Sequence, residues 1–119
     1  MNAPIFSERA VTALANFLEN TSQVLPLKHE KEKFYAINIL NIVDGFDKQK
    51  SKIKYFNSGK IMNIEEYFFH CDKIVNQHIF KIPERLKSTV FVSDVFVQAV
   101  KDHSLKGFIF KETGLTLSK

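Results

Sequence analysis

Residues 34 to 43 form an apolar run whose aromatic and β-branched side chains occupy both alternating faces, with Tyr35, Ile37 and Ile39 together on one of them. A segment apolar on both sides suits a strand covered from above and below, so this run predicts the central strand of a sheet. A helix is the alternative for the same residues. Asn38 and Asn41 interrupt the run, which is about half the length that crosses a bilayer, and no membrane segment is expected.

The segments around it alternate between two periodicities. From Ser7 onward Ala10, Val11, Leu14, Phe17 and Leu18 recur at helical spacing, while Arg9, Thr12, Asn16 and Glu19 take the opposite face. The Ser7 hydroxyl is placed to cap that helix and Glu8 to complement its dipole. Residues 20 to 22 end it, and a short strand follows at residues 24 to 27, where Pro26 points to a sheet edge or a strand end. A second amphipathic helix starts at Ser93, with Phe96, Val97 and Val100 inward and Gln98, Lys101 and Asp102 outward. Gly107 follows its end and leads into a last strand at residues 108 to 111.

Between the helices the chain predicts short strands. Residues 29 to 33 are a charged turn, and Asp44 with Gly45 makes another. Residues 53 to 56 and 61 to 64, separated by Asn57, Ser58 and Gly59, predict a hairpin, with residues 66 to 70 as its continuation. Residues 71 to 77 read as a helical turn or loop, residues 78 to 82 as a strand stopped by Pro83, 84 to 88 as a polar connector, and 90 to 92 as a short extended piece. The order predicts an α+β fold, mainly antiparallel sheet with two amphipathic helices. At 119 residues the expectation is one domain, residues 1 to 119. The two helix starts share a pattern, Phe6-Ser7-Glu8 against Val92-Ser93-Asp94, which capping chemistry accounts for without a duplication.

Seventeen Lys and Arg against 13 Asp and Glu leave a net charge of +4. The densest run is Lys48, Lys50, Lys52 and Lys54, with Lys60 nearby. On a strand Lys52 and Lys54 share one face and Ile53 and Tyr55 the other, the arrangement of a sheet with a solvated side. A phosphate-binding patch is the less favoured reading, so nucleic acid is not the expected partner.

Reactive residue types are present without the spacing that chemistry requires. One cysteine, Cys71, excludes an internal disulfide and any cysteine-based zinc site. His29, His70, His78 and His103 include no pair at helical i, i+4 spacing, so no metal is expected. Neighbours on an extended chain face opposite ways, which sets His70 away from Cys71 and Glu65 away from Glu66. Gly45, Gly59, Gly107 and Gly114 make no phosphate cradle. The expectation is a protein with neither catalytic site nor cofactor. The first residues contain Pro4, Ser7, Glu8 and Arg9 and no secretory apolar run, so a cytoplasmic location is expected.

Several stretches in order carry a family resemblance: Pro4-Ile5-Phe6-Ser7-Glu8-Arg9-Ala10-Val11, Leu25-Pro26-Leu27, and Ser58-Gly59-Lys60-Ile61-Met62. Further on come His78-Ile79-Phe80-Lys81-Ile82-Pro83, Val90-Phe91-Val92-Ser93-Asp94, and Leu105-Lys106-Gly107-Phe108. From Pro4 to about Phe110 the chain resembles family eleven of the immunity proteins of bacterial polymorphic-toxin systems. It departs from that pattern in beginning almost at the Phe-Ser helix, where members often carry a further segment, and is therefore expected to be a short member, an incomplete duplicate or a truncation. The resemblance implies a non-enzymatic protein that binds and neutralises a cognate toxin domain. The net positive charge points toward an acidic toxin surface. Residues hard to place in a core are the expected partner-binding set: Tyr55, Lys60, Glu65, Glu66 and Tyr67. A small RNA-binding or regulatory module using the basic hairpin is the alternative.

Overall fold

A computed structural model describes residues 4–28, 31–86, 89–108 and 110. Described residues up to Val43 and from Gln77 to Phe108 form one compact unit; those from Asp44 to Asn76, with Phe110, form another.

The first unit is built on a sheet of three strands, β1 (Ile5–Ser7), β2 (Ser22–Leu27) and β3 (Phe34–Ile39), in the order β1-β3-β2 and antiparallel throughout. The apolar run thus supplies the central strand as its composition demands, with Ile37 and Ile39 buried. The strand ends at Ile39; Asn41 and Val43 instead bond to Lys81, with Ile42 bridging that residue in parallel. Pro26 lies on β2, an edge of the sheet, where its missing N–H breaks no ladder.

The first helix begins as predicted. The Ser7 hydroxyl accepts from the Ala10 N–H at 3.2 Å and opens α1 (Glu8–Ala13). At Leu14 the backbone leaves helical geometry, with φ −103° and ψ 12°, so a second segment, α2 (Ala15–Leu18), completes what the periodicity presents as one helix. The break does not rotate the apolar face away: Ala10, Leu14 and Leu18, four residues apart, are all buried in one core with Phe6, Ile37, Ile39, Ile79, Phe96 and Val100.

The rest of that unit contains β6 (Ile79–Phe80) paired antiparallel with β7 (Phe91–Val92), and a 3-10 turn over Pro83–Arg85. Then comes the helix α4 (Asp94–Asp102), whose Ser93 cap accepts from Phe96 N–H at 3.2 Å. Gly107 follows the end of this helix, as expected, and the turn itself is made at Ser104, at φ 51°: its N–H bonds the Lys101 carbonyl and the Leu105 N–H bonds the Val100 carbonyl, while Leu105 packs on the core. This is the left-handed helix end usually supplied by glycine. A side chain in that conformation costs about 1 kcal/mol. Ser104→Gly is therefore expected to raise stability by about 0.5–1 kcal/mol in urea titration, and a loss of stability would contradict the account. Of the strand expected at residues 108 to 111 only Phe108 and Phe110 are described, and neither is in a strand; residues 29, 30, 87 and 88 of the expected connectors also lie outside the described residues.

The second unit holds β4 (Lys52–Tyr55), β5 (Ile61–Glu66) and the short α3 (Cys71–Ile74). The expected strand continuation over residues 66 to 70 is absent beyond single bridges, because β5 stops at Glu66 and Tyr67 turns into an aromatic group. Phe46, Tyr67 and Phe69 pack with ring centres 5.7–6.3 Å apart. Asp44 and Gly45 form no turn. Asp47, buried, accepts from the backbone N–H groups of Gln49 and Lys50 and closes the turn two residues further on. The α+β class stands, and among the described residues the antiparallel strands fall into three small sheets.

Candidate functional site

The expected partner-binding residues all fall on or beside the β4–β5 hairpin. Asn57, Ser58 and Gly59 make its turn, Gly59 taking φ 88° where a side chain is disfavoured. The Phe56 N–H donates to the Lys60 carbonyl at 2.8 Å and the Gly59 N–H to the Phe56 carbonyl at 2.9 Å, which closes the tip. Ile53 faces Ile64, buried at 5% exposure, so one side of the hairpin is anchored.

The pairing register slips twice, between Lys52 and Ile53 and between Lys54 and Tyr55, leaving Glu65 and Met62 as extra residues on β5. The first slip alters the charge pattern. On a regular strand Glu65 and Glu66 face opposite ways, but here Glu66 reaches Lys52 at 3.7 Å and Glu65 reaches Lys54 at 3.0 Å. The two lysines share a face. Both carboxylates are thus drawn to the same lysine row, contrary to the expected split. Exposed pairs of this kind contribute about 0–1 kcal/mol each. Their larger consequence is that both strand cations are matched by anions.

The five residues do not converge on one point. Tyr55 and Lys60 are exposed at the tip, whereas Glu66 sits opposite Lys52 at the base, three β4 residues or about 10 Å from Tyr55, and Glu65 reaches Lys54 between the two. Tyr67 lies half-buried between Phe46 and Phe69, stacked on the latter. The sequence reading missed two tip residues: Phe56 is 51% exposed and Met62 48%, beside Tyr55 at 52%. Phe56 had a legible signal, since it abuts the turn triplet. Met62 had none, because the register slip at that residue is set by pairing across the hairpin.

The first unit presents a second apolar surface on its sheet. Ile5 and Leu25 both flank Ala36, and Leu27 flanks Phe34; all three aliphatic residues are exposed. On its helices a shallow groove is lined by Glu8, Arg9, Thr12, Asn16 and His103, with the Arg9 guanidinium donating to the His103 carbonyl at the end of α4.

Among the described residues no group of three or more His, Cys, Asp or Glu side chains is placed to hold a metal. His78 Nδ1 lies 2.8 Å from the Ser93 hydroxyl, a pairing the sequence did not announce. That hydroxyl already accepts from Phe96 N–H and the imidazole meets the Phe17 ring edge-on, so the pair ties the start of α4 to the residue before β6. Cys71, half-buried, opens α3 directly after His70.

The chain is thus an α+β protein with exposed aromatic and methionine side chains at its hairpin tip and matched charges along the hairpin strands. The chain belongs to the immunity protein family Imm11, whose profile matches residues 17–114. No curated protein and no solved structure matches it. Membership places it in a toxin-immunity role, and no helix among the described residues is long and apolar enough to cross a membrane.

Proposed function

We propose that this protein neutralises a cognate toxin domain by stoichiometric binding, in the cytoplasm of a bacterium that makes the toxin. The family match over residues 17–114 carries the reading. The hairpin geometry agrees with it. A phosphate backbone requires cations free to replace counterions, and Lys52 and Lys54 already hold Glu66 and Glu65, which disfavours the RNA-binding alternative. The exposed aromatic and methionine side chains at the tip are the types enriched at protein interfaces. Tyr55, Lys60, Glu65, Glu66 and Tyr67 remain part of the proposed contact region, the last two acids and Tyr67 as the frame that holds the tip.

Co-expression with the toxin domain encoded beside this chain's gene tests the proposal. Cells making both proteins are expected to grow while cells making the toxin alone die, and the purified pair is expected to co-elute as one complex. Death at the same rate with and without this chain, together with separate elution, sinks the proposal.

A further inference from the structure

Resting on the immunity reading, we infer that the β4–β5 tip is the toxin-docking element, with Phe56 and Met62 filling an apolar pocket on the toxin and Lys60 meeting a carboxylate at its rim. Charge placement selects this occupant. Along the strands the hairpin's charges cancel, Lys52 with Glu66 and Lys54 with Glu65. At the tip the turn residues Asn57, Ser58 and Gly59 are neutral, and Lys60 has no carboxylate partner among the described residues. The tip therefore sets exposed Phe56 and Met62 beside neutral polar turn residues and a single positive charge, and its complement is an apolar pocket with a polar, negative rim.

Shape selects a pocket. A hairpin tip is convex and narrow, whereas a stable complex covers about 800 Å² on each partner, so a partner reaches that area by enclosing the tip. The tip is also held in advance. Gly59 turns it without strain, the Phe56 and Lys60 backbones bond across it, and two ion pairs clasp the strands behind it, which lowers the ordering cost on binding. A second copy of this chain is a poorer occupant: a two-fold interface sets the same patch against itself and brings Lys60 toward its own counterpart. RNA is poorer because one unmatched lysine neutralises one phosphate.

Dissociation constants of the purified full chain with the adjacent-gene toxin domain test the inference. Phe56→Ala is expected to weaken binding roughly tenfold or more. Lys60→Glu is expected to weaken it by a similar factor at low salt, with the difference shrinking as salt is raised. Leu25→Glu, on the exposed sheet face of the first unit, is expected to bind within about threefold of the unaltered chain. Circular-dichroism melts of each variant separate lost contact from lost fold. If Phe56→Ala and Lys60→Glu fold and bind as the unaltered chain does, or if Leu25→Glu alone abolishes the complex, the tip is not the docking element while the immunity reading stands. No complex with the unaltered chain overturns both. Light scattering that finds a dimer converted to monomer by Phe56→Ala reassigns the tip to self-association. A labelled single-stranded RNA retained by the unaltered chain and lost with Lys60→Glu reassigns it to nucleic acid.

Discussion

Phe96→Ala is expected to lower stability by about 3–5 kcal/mol, read as a shift in the urea midpoint with a matching drop in melting temperature. Phe96 is 1% exposed, in the first turn of α4, and its ring centre lies 5.2 Å from that of Phe17 in an edge-on arrangement. Truncation removes the ring's burial and leaves a space that the core around Leu14, Ile37 and Val100 cannot fully close. It also removes the partner of the Phe17 edge contact, worth about 0.5–1.5 kcal/mol beyond area. The neighbouring exposed Val95 provides the control. Val95→Ala is expected to stay within about 0.5 kcal/mol of the unaltered protein, and comparable losses for the two variants would refute the assignment of Phe96 to the core.

Leu14→Ala is the second large effect, about 2–5 kcal/mol by the same measurement. Leu14 has 0% exposure and occupies the break between α1 and α2. Its N–H bonds the Ala10 carbonyl, and its own carbonyl accepts from Phe17 and Leu18. Alanine can keep those backbone bonds, so the expected loss is that of the side chain's burial and the cavity it leaves. Leu14→Met, nearly equal in volume, is expected to lose less than about 1.5 kcal/mol. If Met and Ala cost the same, the side chain's packing is not what matters at the break, and the backbone conformation is.

Much of the fold was legible because it obeys local rules. Ser7 and Ser93 cap their helices in the same way because a hydroxyl before a helix satisfies an otherwise unpaired N–H, whatever surrounds it. The turn at Asn57-Ser58-Gly59 needed only a residue tolerant of positive φ. Features set by partners distant in sequence were not legible. Gly107 marks only that α4 has already ended, whereas the turn itself falls on Ser104, a residue with no turn signal of its own, next to Leu105, which packs on the core. The candidate site was legible in its location and less so in its members. Tyr67 reads as surface from its polar hydroxyl, but Phe46, twenty-one positions earlier, makes a place for its ring.

The sequence by itself determined the class of the elements and most of their positions: a capped helix near each end, a central strand where apolar residues occupy both faces, an edge strand carrying Pro26, and a hairpin. These follow from side-chain periodicity and backbone preferences that act within a few residues. Only the tertiary structure decided that the strands of the described residues divide among three sheets, that β5 carries two extra residues, and that Glu65 and Glu66 therefore both reach the lysine row of β4. Pairing register depends on which strand lies opposite, and a one-residue slip changes which side chains meet. It is a property of two segments at once, and no single stretch of this chain encodes it.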